Sequence, residues 1–93
     1  MDELIRKHIV FYGWVQGVGF RYRASHAASN FGCTGWVKNE SNGSVSMEFQ
    51  GSEAQIDQVI MAIEQGRFVK IENMEVKSLP VDEEERNFRV RYN

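Results

Sequence analysis

The chain is 93 residues long, which leaves room for one compact unit around one hydrophobic core, given that about 100 to 200 residues is usual for a domain. Its 11 Lys and Arg against 13 Asp and Glu give a formal charge of −2, whereas a surface that grips a nucleic-acid backbone carries a clear cationic excess. An apolar fraction of 42% with 12% aromatic side chains is ordinary globular usage and argues against disorder.

Residues 1–93 are therefore expected to form a single domain. The lone Cys33 has no partner for an internal disulfide, and no Cys/His cluster with metal-ligand spacing replaces one. The N-terminus carries Asp2, Glu3 and Arg6 with no apolar leader, and no run approaches the roughly 20 apolar residues of a membrane span. A cytoplasmic monomer with no metal, no cofactor, no nucleic-acid partner and no membrane association is expected.

In chain order, His8 to Trp14 is dense in β-branched and aromatic residues and predicts a buried central strand. After a glycine-containing loop, Phe20, Ala24, Ala27, Ala28 and Phe31 recur at helical spacing, with Gly32 as a left-handed stop, so a first helix is predicted from about Arg21 to Phe31. Trp36 to Asn39 reads as a second strand. The Asn42, Gly43 pair then suits a tight hairpin turn, and a third strand places Val45, Met47 and Phe49 on one face. Ser52 with Gln55 three residues on is a capping-box pattern. It opens a second helix whose stripe of Ile56, Val59, Ile60 and Ile63 ends at Gly66. Ile71 to Leu79 predicts a fourth strand, the acidic run Asp82 to Glu85 an exposed loop, and Phe88, Val90 and Tyr92 a short fifth strand.

The order βαββαβ plus a C-terminal strand is the α+β, ferredoxin-like split βαβ arrangement, with two helices on one face of an antiparallel sheet. In it the first and second strands run parallel with one strand between them. Their C-terminal ends share an edge, roughly 10 Å apart at about 4.8 Å per strand.

That edge carries the chemistry. The loop GWVQGVGFR, Gly13 to Arg21, has three glycines in seven residues and runs directly into a helix. Free amides and the positive end of a helix suit a phosphate or similar oxyanion, and Arg21 at the lip can add a two-pronged charged contact. The spacing matches neither a Walker A loop nor the dinucleotide GxGxxG, and the loop alone favours the blander reading of a glycine-rich turn with an exposed arginine. Asn39, at the end of the second strand, falls on the same edge and can face the same small ligand.

Together GWVQGVGFR and GWVKN, with Gly43 and Val45 continuing after the turn, closely resemble the two signature segments of acylphosphatases, and the likeness runs on to the final FRVRY. What the resemblance implies is specific. The loop amides of Val15, Gln16, Gly17, Val18, Gly19 and Phe20 would bind phosphate, Arg21 would hold it, and Asn39 would orient the attacking water on an acyl phosphate substrate. Two departures stand out: Trp14 takes a place often held by a polar or basic residue, and Gln65 to Ile71 lacks the Gly, Pro turn common after the second helix.

Other residues have blander readings. His8 and His26 have no partner motif and read as structural or surface residues. Cys33 reads as a packed thiol, and Trp36 and Phe20 as packing residues. Arg23 and Lys38 could add positive potential near the site. Two other functions compete: a noncatalytic phosphate- or RNA-binding module on the same fold, and a fragment role, since similar domains head larger hydrogenase-maturation carbamoyltransferases. The chain reads as complete at both ends and lacks the zinc-finger cysteines of the latter, so a free-standing hydrolase is expected.

Overall fold

β1 (Ile5–Trp14) enters the fold with Ile9 and Phe11 fully buried on one face, as alternation in a half-covered strand requires. The structure, a computed structural model, describes residues 3–92. The elements that follow are α1 (Phe20–Asn30), β2 (Thr34–Asn39), β3 (Val45–Gly51), α2 (Glu53–Glu64), β4 (Lys70–Leu79) and β5 (Phe88–Arg91). The sheet order is β4-β1-β3-β2-β5. Neighbours among the first four strands of this order are antiparallel, and β5 pairs with β2 in parallel. The expected antiparallel sheet is therefore a mixed one. After crossing the sheet from β4, the chain arrives at the edge beyond β2 in the same direction as β2.

One face is dry. Ile9 and Phe11 of β1, Val37 of β2, and Val45, Met47 and Phe49 of β3 meet Phe20, Ala24 and Ala28 of α1 and Ile56, Val59 and Ile63 of α2. The predicted stripes are the ones buried. In α2 the Ser52 hydroxyl accepts from the Gln55 amide at 3.1 Å and the Gln55 side chain accepts from the Ser52 amide at 2.8 Å, so both halves of the capping box form. α1 ends at Asn30, one residue before the expected Phe31, and Gly32 takes the left-handed conformation there (φ 75°). Past α2, the turn without Gly-Pro closes through the Gly66 amide on the Ile63 carbonyl and the Val69 amide on the Gly66 carbonyl.

The other face is polar and partly covered. The acidic run is a loop, as expected, with Asp82, Glu83 and Glu84 exposed, and it lies across this face. Glu85 pairs with the buried Arg6 at 2.8 Å, and Gln50 exchanges two hydrogen bonds with the Asp82 backbone, at 2.8 and 2.9 Å. Arg6 and Gln50 are buried as a result, and Ser46 on the same face is buried with its hydroxyl donating to Glu40. Buried charge is tolerated where it is paired and hydrogen-bonded, and Arg6 contacts Glu48, Gln50 and Glu85 together. No helix among the described residues is long and apolar enough to cross a membrane.

Candidate active site

The loop from Val15 to Gly19 is anchored at both ends, by the buried Val15 and by the buried Phe20, whose ring packs on Phe11 at 4.9 Å between centroids. Between them Gly17 and Gly19 adopt φ of 72° and 82°, a region that costs other L-residues about 1–2 kcal/mol each. A Cβ at either glycine would meet nothing within 4 Å, so backbone conformation, not space, calls for glycine here.

That conformation leaves donors free. Gly19 caps α1 with no side-chain bond to the helix, and the first amide of the ladder is Arg23, which donates to the Gly19 carbonyl at 3.0 Å. The amides of Gly19, Phe20, Arg21 and Tyr22 are the four that a helix leaves without intrahelical partners. They stand at the positive end of the helix dipole, where an anion is favoured.

Arg21 and Asn39 line one concavity of about 400 Å³ together with Val15, Gly17, Gly19 and Phe20. The topological expectation that β1 and β2 end on a shared edge, with β3 between them, holds in the sheet order. Among the described residues neither polar side chain makes a hydrogen bond. Among the described residues no carboxylate pairs with Arg21, whose guanidinium instead lies 4.9 Å from the centroid of the Tyr92 ring. The Asn39 Oδ1 is buried with no hydrogen-bond partner, a state that costs roughly 1–3 kcal/mol unless something supplies a donor.

The side chains of Gln16 and Val18 face elsewhere. The Gln16 Nε2 donates to the Glu40 and Ser44 carbonyls at 2.7 and 2.8 Å, fastening the loop to the turn after β2, and Val18 packs against the core.

The profile of the acylphosphatase family matches residues 7–90. The chain belongs to the acylphosphatase family. It is similar to an acylphosphatase of Geobacillus kaustophilus, 42% identical over 88 residues and covering 94% of each chain. Its fold is similar to the crystal structure of acylphosphatase from Bacillus subtilis, with a TM-score of 0.85 at 31% identity over 95% of this chain and 99% of that one. It also resembles part of a much longer protein, full-length HypF in its phosphate- and nucleotide-bound form, with a TM-score of 0.84 at 27% identity over 98% of this chain but 12% of that one.

Several lining residues of this acylphosphatase fold carried no signal in the sequence. Tyr22, Ser25 and His26 reach the concavity from the outer side of α1, and Val90 and Tyr92 from β5 and the residue beyond it. The Tyr22 and His26 rings stack at 4.3 Å, as residues four apart on a helix can. His26 thus belongs to the rim of the site, not to a remote surface. Arg23 and Lys38 stay outside the concavity: Arg23 packs near Gly66, and Lys38 pairs with Glu40 at 3.9 Å. Trp14 is exposed and does not line it, and Trp36 lies on the opposite face against His8 and Arg91. Cys33 is buried, and burial pushes its thiol up to about 11.

Proposed function

We propose that this acylphosphatase-family chain hydrolyses the carboxyl-phosphate bond of acyl phosphates to a carboxylate and inorganic phosphate, with the loop amides and Arg21 holding the phosphate and Asn39 orienting the attacking water. One observation supports the reading: two polar side chains with opposite hydrogen-bonding capacity, a guanidinium and a buried amide oxygen, share a concavity and have no hydrogen-bond partner among the described residues.

Each group has one task. Arg21 and the amides at the start of α1 are donors only, matched to the equatorial oxygens of a phosphoryl group, where charge stabilisation does most of the catalytic work. The neutral Asn39 amide has no useful basicity. Its oxygen can accept from a water and direct the lone pair of that water toward phosphorus, which is catalysis by positioning. The departing carboxylate has a conjugate acid with pKa near 4, so its expulsion needs little protonation. The bond between phosphorus and the carboxylate oxygen breaks as the bond from water forms, and the water proton passes to a phosphate oxygen.

A module that bound phosphate or RNA without turnover would have use for Arg21 and the amides but none for an unpartnered Asn39 beside them. Steady-state hydrolysis of benzoyl phosphate, run beside a phosphate monoester with inorganic phosphate as competitor, tests the reading. Turnover of the acyl phosphate alone, inhibited competitively by phosphate, is expected, and phosphate binding without turnover would leave only the binding module. The site lies in the 1–93 domain itself and asks nothing of a second copy, so a monomer acting in the cytoplasm is the form proposed.

A further inference from the structure

The polar face of the sheet, away from the site, holds the most heavily invested cluster in the molecule. Arg6 is 5% exposed and makes four side-chain hydrogen bonds: Nε to Glu48 Oε1 at 3.0 Å, Nη1 to Gln50 at 2.9 Å, and a two-pronged contact with Glu85 at 2.8 and 3.2 Å. Glu85 belongs to the connection from Leu79 to Phe88, which takes the chain from one edge strand, β4, to the other, β5. The crossing spans four inter-strand spacings, roughly 19 Å at about 4.8 Å each. The eight residues available reach at most about 28 Å fully extended. The connection is thus a strap with about 9 Å of reach to spare, tied down midway by Gln50 on Asp82 and by Arg6 on Glu85.

What the strap delivers is β5. This strand is four residues long, pairs with β2 alone and lies at the sheet edge, so backbone pairing holds it from one side only. Its register, Val90 beside Val37 and Arg91 beside Lys38, carries Tyr92 toward Asn39. There the Tyr92 ring, although 77% exposed, lies over the Arg21 guanidinium. A cation over an aromatic face is held by the ring quadrupole, and a planar guanidinium so held is limited in the directions it can point.

We propose that Glu85, clamped on Arg6 at the far face of the sheet, is a positioning residue for phosphate binding: it fixes the strap, the strap fixes β5, and Tyr92 at its end sets the Arg21 guanidinium toward the loop amides. The proposal rests on the reading of Arg21 as the phosphate-holding group.

The test is a double-mutant cycle on the full chain, read as the dissociation constant of inorganic phosphate by calorimetry and as KM and kcat for benzoyl phosphate. Glu85→Ala and Tyr92→Ala should each raise the phosphate constant and KM about tenfold, the scale of weakening one charge-assisted contact. Tyr92→Phe, which keeps the ring face, should restore the parent values. The double variant should bind phosphate no worse than Tyr92→Ala alone, because the two residues act in series. If Glu85→Ala lowers the melting temperature and leaves phosphate affinity and KM untouched, or if the two losses add, the strap is structural only and the proposal falls. Tyr92 is exposed, so its variants fold regardless, and Glu85→Gln, which keeps a hydrogen bond to Arg6, stands in should Glu85→Ala unfold. A parent protein that binds phosphate without hydrolysing benzoyl phosphate would overturn the proposed catalysis while the cycle on phosphate affinity still reads the clamp.

Discussion

Gln16 and Ser44 lie 28 positions apart in the chain, yet the Gln16 Nε2 donates to the Ser44 carbonyl at 2.8 Å while the same nitrogen reaches the Glu40 carbonyl at 2.7 Å. The loop from Val15 to Gly19 and the turn after Asn39 are thereby tied together. Glu40 and Ser44 are themselves joined, amide to carbonyl, at 2.9 Å across the turn. Gln16→Ala should free the loop from the Asn39 strand and lower kcat by about 10- to 100-fold, since a misplacement near 1 Å can cost 10²-fold. Gln16→Glu should do worse than alanine. It aims a carboxylate at two carbonyls beside a site built for an anion. Parent rates for both variants in a benzoyl phosphate assay would mean that the tie plays no part in catalysis.

Arg21 and Asn39 should separate binding from turnover. Asn39→Ala is expected to keep phosphate inhibition at the parent constant and lose about 10²- to 10³-fold in kcat, the usual cost of removing a preorganised catalytic hydrogen bond. Arg21→Gln should lose phosphate inhibition and turnover together, because in the proposed role the guanidinium binds the ground-state phosphate and holds the charge on its oxygens more strongly still in the transition state. Asn39→Ala hydrolysing at the parent rate would remove the water-positioning role.

Much of this geometry was legible along single elements and little of it between them. The capping box at Ser52 and the stripe from Ile56 to Ile63 are local patterns, and the helix they predict is the one that forms. The alternation of Val45, Met47 and Phe49 specifies a face. The crossover rule then places Arg21 and Asn39 on one edge without any reference to side-chain contacts. By contrast, nothing in Phe88, Val90 and Tyr92 says which sheet edge they join, so the contribution of Tyr92 to the site was invisible. Ile5, Arg6 and Lys7 alternate too weakly in polarity to extend β1 backward. Arg6 becomes a strand residue because Glu48 and Glu85, 42 and 79 positions away, neutralise it, a pairing no local pattern encodes.

Cys33 should be inert while the protein is folded. Burial raises its thiol to about 11, so at pH 7.5 roughly three molecules in ten thousand carry the thiolate that reacts. The side chain is also closed off from solvent. A disulfide-exchange reagent should therefore react stoichiometrically in denaturant and slower by more than about 100-fold in buffer. Full activity after prolonged exposure of the native protein is expected. Rapid labelling of the native protein at neutral pH would show that the region around Cys33 opens far more readily than the rest of the core.

The polar face makes stability depend on acid. Burial alone would raise the Glu48 carboxyl, but hydrogen bonds from His8 at 3.1 Å and from Arg6 at 3.0 Å outweigh it and hold the group below its ordinary value of 4.5. A carboxyl depressed in the folded state stabilises the fold fully above its unfolded pKa, and that contribution disappears as pH falls through the folded one. The melting temperature should therefore drop as pH is lowered below about 4.5, with Arg6 losing one of its two carboxylate partners as Glu48 takes up a proton. Glu48→Gln removes the titrating group and should flatten this acid limb, while lowering the melting temperature at neutral pH because the Arg6 charge is left with Glu85 alone. Thermal melts of parent and variant between about pH 3 and 7 decide the matter, and parallel curves over the acid range would place the acid sensitivity in some other carboxylate.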